Sequence, residues 1–249
     1  MAESIDDRGP STNDEKRLPI LEHLEELRWR IVKCAAVVLV GAIIAYLFRT
    51  QLIDLLRRPY EIAFPDGSPL VVLSPTEQFS TAMKVAIYGG LVLASPVLFY
   101  QVWAFVNPAL TPRERRWAIP LVAAFVLLFA VGTAFAYWVL PRGLGFLLQI
   151  IPDVESTLRI GDYMSFVTRF LLVFGLAFEF PLFLFAGAAT GLVSSEQLGR
   201  GRRWAVLVIV VLGAAVTPTG DPLTLALLAV PLYIFYEVTI WLVRLLLRK

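Results

Sequence analysis

Charge is what this sequence has least of. Asp, Glu, Lys and Arg make up 17% of its 249 residues, against about a quarter in soluble domains. The only histidine, His23, precedes the first long apolar run. Neither an HExxH zinc site nor a Ser-His pair inside a bilayer is therefore available. The only cysteine, Cys34, excludes an internal disulfide and has no partner for a Cys metal site; it reads as a small apolar residue of the first membrane helix. No G-x-x-x-x-G-K-[ST] phosphate loop occurs, which excludes that route of ATP hydrolysis. A net charge of +2 gives no reason to expect nucleic-acid binding. An enzyme is disfavoured, and no catalytic residue, metal site or cofactor is assigned.

What is present is apolar. Hydrophobic residues make up 58%, in runs at Ile31–Phe48, Val85–Val106, Trp117–Leu140, Met164–Thr190, Trp204–Val216 and Leu223–Val243. A helix rising ~1.5 Å per residue needs about 20 residues to cross a ~30 Å hydrocarbon core. The fold class expected is an all-α polytopic membrane protein with six transmembrane helices. The fifth is too short, and with the sixth it makes a tight hairpin through Thr217–Asp221. A matched sixth helix leaves the membrane near Glu237, and the bilayer is expected to thin beside the hairpin. Met1–Arg17 reads as a disordered cytoplasmic tail, neither signal nor transit peptide, before a single membrane domain over 18–249. On the positive-inside rule, 15 of the 22 Lys and Arg residues fall on the side holding both termini, which makes that side cytoplasmic.

Start signals recur at the ends of the runs. Ser74-Pro75-Thr76-Glu77 and Thr111-Pro112-Arg113-Glu114 each pair a Ser/Thr cap and a first-turn Pro with Glu three after the cap. Asp221-Pro222 caps the sixth helix, and Ser194–Gln197 opens a turn into the fifth.

Carboxylates stand where they are costly. Glu179, in "AFEFPLF", lies midway along the fourth run, with no basic residue nearer than Arg169. A charge there costs at least ~2.5 kcal/mol, so such groups face a cavity or a partner; the plain alternative is a protonated Glu making one interhelical hydrogen bond. Pro181 weakens the local ladder and bends the helix, and together they imply a concave, partly hydrated face. Before the first run, "HLEELRWR" places Glu22, Glu25 and Glu26 on one helical face and Leu21, Leu24, Leu27 and Ile31 on another. An interfacial amphipathic helix in which Arg30 relieves Glu22–Glu26 repulsion accounts for it adequately. Glu114 is equally well accounted for as the closing member of its capping box.

Taken in order, "HLEELRWR", "RRPY", "SPTEQF", "SPVLFYQVWAFVNPALTPRERR", "FAYWVLPRGLGF", "SFVTRFLLVFGLAFEFP" and "TPTGDP" resemble the TatC family, the signal-recognising membrane subunit of the twin-arginine protein translocase. The resemblance covers roughly Leu18–Lys249. It implies a concave, glove-like bundle with both termini cytoplasmic and a short final hairpin, in a bacterial or archaeal cytoplasmic membrane. It implies a receptor for twin-arginine signal peptides of folded precursors, driven by the proton motive force. The partners implied are TatA-type and TatB-type single-span subunits and further copies of the chain. By motif, Glu26 and Glu114 take the places of the arginine-recognising carboxylates, and Arg28 and Phe105 belong to the same signal-peptide patch. Pro59 matches a proline of the first outer loop, with a structural or translocation role. Glu179 matches the intramembrane glutamate that contacts a partner. Relatives often carry an amide near the start of the sixth helix; here only Thr224 stands there, and "TPTGDP" sets Asp221 one residue later than some relatives' "TPPD".

Two other readings compete. A proton-coupled solute carrier would use Glu179 as its proton site, but would favour repeated halves, and no repeat is evident. A pure scaffold leaves Glu179 and the paired rim carboxylates unexplained.

Overall fold

A computed structural model describes residues 12–65, 69–106, 118–148, 157–189, 194–216 and 222–247. Among these the chain forms helices α1 (Thr12–Leu47), α2 (Arg49–Ala63), α3 (Pro75–Val106), α4 (Ala118–Leu148), α5 (Ile160–Ala177), α6 (Phe180–Ala189), α7 (Ser195–Arg200), α8 (Arg202–Val216) and α9 (Pro222–Leu247). Five stretches are long and apolar enough to cross a membrane: His23–Leu47, Pro75–Phe105, Ile119–Phe146, Ile160–Ala188 and Leu225–Leu245. The segment read from the sequence as a short fifth crossing forms α8, 15 residues long, and is not among these five. It reaches about 22 Å, well under a ~30 Å core. Helix α1 begins at Thr12, so it takes in the last six residues assigned above to a disordered tail. That segment, TNDEKR, holds no Gly or Pro to stop a helix.

Helices α1 and α3 pack antiparallel through glycines. A Cβ on Gly90 would lie 2.4 Å from the Ala42 amide nitrogen, and one on Gly41 2.7 Å from the Gly90 carbonyl oxygen. Without side chains there, the two backbones touch, the means by which membrane helices gain packing energy when lipid is as apolar as leucine. The lipid side of α1 is apolar and open, with Leu39, Ile43 and Leu47 all exposed.

The main core lies between α2, α4, α5 and α9, where Leu56, Leu140, Met164, Val167, Phe174 and Leu228 are buried. Pro59 helps to close it. It sits inside α2, in a helix and not an open loop, and it lacks the N–H that would bond the Leu55 carbonyl. The Tyr137 hydroxyl donates to that oxygen at 2.9 Å, and the Tyr163 hydroxyl donates to the Leu56 oxygen at 2.8 Å. Two tyrosines from α4 and α5 thus tie down a helix that proline has opened. A smaller cluster joins Ala188, Leu198, Tyr236, Ile240 and Val243, fastening α7 to the end of α9.

The turn expected at Ser194–Gln197 closes into a capping box, whereas the box expected at Ser74–Glu77 does not form as read. At α7 the box is complete: Gln197 N donates to Ser194 Oγ at 3.2 Å, and Ser194 N donates to Gln197 Oε1 at 2.8 Å. At α3 it is not. Glu77 bypasses Ser74 and accepts from the amides of Leu73 (2.9 Å) and Gly161 (3.1 Å), with Arg159 at 3.4 Å. The start of α5 explains the difference. Its cap residue, Arg159, makes no side-chain cap bond, so the free amides and positive end of that helix draw in the nearest carboxylate. Val71 is stitched to the same place by bonds to Leu158 and Ile160. The expected boxes at Thr111 and the cap at Asp221 lie outside the described residues.

The fourth crossing breaks where Pro181 predicts. Glu179 N bonds back three residues to Leu176 O at 3.1 Å, and α6 restarts with Leu182 N and Phe183 N on Glu179 O.

Candidate functional site

The antiparallel register carries the α1–α3 contact from Gly41 and Gly90 to the other end of both helices, eleven residues along each, or about 16 Å. There Arg30 reaches Gln101 and Ala104. Its Nη1 donates to Gln101 Oε1 at 3.1 Å and its Nη2 to the Ala104 carbonyl at 3.0 Å. The same guanidinium donates to Oε1 of Glu26, through Nε at 3.0 Å and Nη2 at 2.5 Å. Nδ1 of His23 lies 3.4 Å from the other oxygen, Oε2. The His23 ring stacks on Phe105, centroids 4.3 Å apart and 14° from parallel.

Glu26 and Phe105, 79 residues apart, therefore meet around one node, with His23 between them. The Glu26 side chain keeps 34% of its surface exposed and Arg30 only 20%. The carboxylate is anchored and still reachable. Arg30 settles on Glu26 as the i,i+4 pairing allows, while Glu25 is exposed and Leu24 and Ile31 face outward as an interfacial helix requires. Arg28 does not join the node. Two residues turn an α-helix by about 200°, so it points away from Glu26, and it is exposed. Glu114 lies outside the described residues, eight positions after α3 ends.

Glu179 is 1% exposed, which corrects the expectation of a hydrated face at that residue. Neither carboxylate oxygen has a hydrogen-bond partner within normal distance among the described residues, and the polar group facing it is the backbone of Phe129. Glycines close the wall around it. A Cβ on Gly132 would meet Phe178 Cγ at 2.7 Å, and one on Gly175 would meet Phe129 at 2.7 Å, so α4 lies tight over the α5–α6 break. The concavity is elsewhere. A cavity of about 440 Å³ opens between α1, α2, α3, α4 and α5, with Tyr88, Thr133 and Thr168 in an otherwise apolar wall. A second groove, about 320 Å³, runs between α5–α6 and the α8–α9 hairpin, lined by Leu176, Phe180, Phe183, Val208, Gly213 and Leu232. Pro59 lines a third cleft with Tyr137, Trp138 and Arg142.

Glu237 has a partner that the sequence did not single out. Arg202, first residue of α8, grips it with two parallel bonds of 2.6 and 3.0 Å, and the Tyr233 hydroxyl donates at 3.1 Å. The pair ties the start of α8 to α9. Trp204 and Trp241 are both exposed nearby, as is Trp29 of α1, the placing expected of aromatic residues at a membrane interface.

A family model described as Sec-independent protein translocase protein (TatC) matches residues 22–231. The chain is 38% identical to the Sec-independent protein translocase protein TatC of Aquifex aeolicus over 93% of its length and 97% of the relative's. It is 38% identical to that of Desulforapulum autotrophicum (92% and 85% covered) and 35% identical to that of Escherichia coli K12 (91% and 88%). Its structure superposes on a crystal structure of the twin-arginine translocase receptor TatC with a TM-score of 0.78. That match covers 90% of this chain and 98% of the other at 37% identity; the same receptor in the detergent DDM gives 0.79.

Proposed function

The chain belongs to the TatC family of Sec-independent protein translocase proteins, and on that footing we propose that Glu26 and Glu114 together grip the paired arginines of an export signal peptide. The observation that carries this is Glu26 itself, an anchored and exposed carboxylate on the rim of a membrane bundle. As a translocase receptor the chain is a transport component and not an enzyme. Guanidinium is planar and rigid, with five donors, so two adjacent arginines are met best by two separated carboxylates. Lysine offers only a point charge. Phe105, backed by His23, gives a flat apolar surface beside the clamp, and Arg28 on the outer face keeps the surrounding surface from being simply acidic. Binding of a twin-arginine signal peptide and of its twin-lysine counterpart to the chain in nanodiscs tests the reading. A clear preference for arginine supports it, and equal binding overturns it.

The rim lies in the cytoplasm of a bacterial or archaeal cell by the positive-inside rule, and so do both termini. The signal peptide's apolar stretch runs down the concave wall. The short α8 thins the bilayer beside the hairpin, where Trp204 and the Arg202–Glu237 pair set one interface. Small single-span partners of the TatA and TatB type dock in the groove between α5–α6 and the hairpin, whose apolar lining suits a transmembrane helix. Further copies of the chain complete the assembly. Glu179 directly precedes Phe180 of that groove, and once α4 parts from the α5–α6 break a polar side chain of a partner helix supplies the bond its buried carboxylate lacks among the described residues.

This gives a split outcome. Leaving a buried polar group without a bond costs ~1–3 kcal/mol, so Glu179→Leu should raise the melting temperature of the isolated chain while abolishing co-purification of a partner. Glu179→Gln, still able to hydrogen-bond, should retain most of the partner. Equal partner recovery for the two variants would contradict the assignment.

A further inference from the structure

Arg30 invites two opposite interpretations. It occupies Glu26 as a ligand arginine would, and on one interpretation it is a built-in competitor that the signal peptide displaces. The remainder of its contacts argue otherwise. Three of its nitrogens are in use: Nε on Glu26, Nη1 on Gln101, and Nη2 shared between Glu26 and the Ala104 carbonyl. Ala104 is among the last four residues of α3, whose carbonyls have no partners within the helix, and a basic side chain there also meets the negative end of the helix. Removing Arg30 from Glu26 would disturb the cap and the Gln101 bond together. A competitor built for release would not be fastened to a second helix.

We infer that Arg30 is a positioning residue for signal recognition: it pins Oε1 of Glu26 against the end of α3 and leaves Oε2 as the oxygen presented to an incoming guanidinium. The inference rests on the clamp proposed above and names the device that aims it. A carboxylate has about four acceptor positions over two oxygens, and Arg30 uses two on Oε1 alone. Among the described residues Oε2 has only His23 near it, at 3.4 Å, a longer contact that an arginine can replace. Since Phe105 directly follows Ala104, the bond to Ala104 fixes the stacked His23–Phe105 pair in register with Glu26. Aiming a single oxygen matters more for a directional guanidinium than for an ammonium. Loss of Arg30 should therefore erase discrimination as well as affinity.

The test measures binding of a synthetic twin-arginine signal peptide and its twin-lysine form to the full chain in nanodiscs. Arg30→Gln should weaken the arginine peptide about tenfold, leave the lysine peptide nearly unchanged and so collapse the preference; Arg30→Lys should restore only part of it. Gln101→Leu removes one anchor without touching Glu26 or the charge, and should shift the preference the same way by less. It carries the test if Arg30→Gln does not fold. Tighter binding in Arg30→Gln would establish the competitor and overturn the inference, as would an unchanged preference in both variants. Glu26→Gln separates the two levels. If it weakens the arginine peptide while Arg30→Gln does not, only the positioning role fails; if it has no effect either, the clamp itself fails.

Discussion

Alanine at both Glu26 and Glu114 should weaken binding of a twin-arginine signal peptide about a hundredfold or more and leave no preference over twin lysine. A hydrogen bond to a charged group is worth ~1.5–3 kcal/mol, and ~1.4 kcal/mol is a factor of ten. Glu26 is a third exposed, so solvent screening places it toward the low end of that range. Each single replacement should then cost about tenfold. In the proposed clamp the two carboxylates come from different segments and meet different arginines, so their effects should add to within a few tenths of a kcal/mol. Titration of a labelled peptide against the chain in nanodiscs reads all four variants of the cycle. Unchanged affinity in the double variant would remove the clamp from the account.

Gly90→Ala should be the most damaging small substitution in the bundle. Its added methyl would stand 2.4 Å from the Ala42 nitrogen and 2.7 Å from the Ala42 Cα, atoms of backbone that cannot rotate away. Helices α1 and α3 must part to admit it. Overpacking of this kind costs typically ~1–3 kcal/mol and occasionally more. The damage extends past stability, because Arg30 meets Gln101 and Ala104 only while the two helices keep their distance eleven residues further along. Gly90→Ala should therefore lower the melting temperature and also weaken signal-peptide binding, although Gly90 is far from the clamp. Gly145→Ala, whose methyl meets nothing within 4 Å, should do neither. Normal binding in a destabilised Gly90→Ala would mean that the α1–α3 register does not set the site.

How far the sequence carried the argument depends on the range of the interaction. Five of the six apolar runs were legible as stretches able to cross a membrane because length and apolarity are properties of a single stretch; Leu223–Val243 as read and Leu225–Leu245 as found differ by two residues at each end. The short α8 and the break at Pro181 were legible for the same reason. Glu77 was misread because the local pattern S-P-T-E satisfies a capping box, whereas its carboxylate takes the neighbouring Leu73 amide and, across 84 residues, the Gly161 amide. Glu179 was flagged by its cost, but no sequence rule says that Gly132 and Gly175 let α4 close over it. In "HLEELRWR", the spacing already sets Arg30 against Glu26, while the resemblance points to Arg28. Helical geometry turns one outward and the other toward α3, and only the structure supplies the Ala104 carbonyl that gives Arg30 its second attachment. The meeting of Glu26 with Phe105 came from the family resemblance, since nothing in either segment alone points to the other.

The most direct test places a photoreactive residue beside the arginine pair of a precursor's signal peptide and maps its adducts on the full chain in membrane vesicles. The account predicts adducts on α1 between residues 22 and 29 and in the segment around Glu114, both lost when the arginines are replaced by lysines. Adducts confined to the opposite end of the bundle, around Pro59 and Tyr163, or adducts indifferent to lysine, would contradict it.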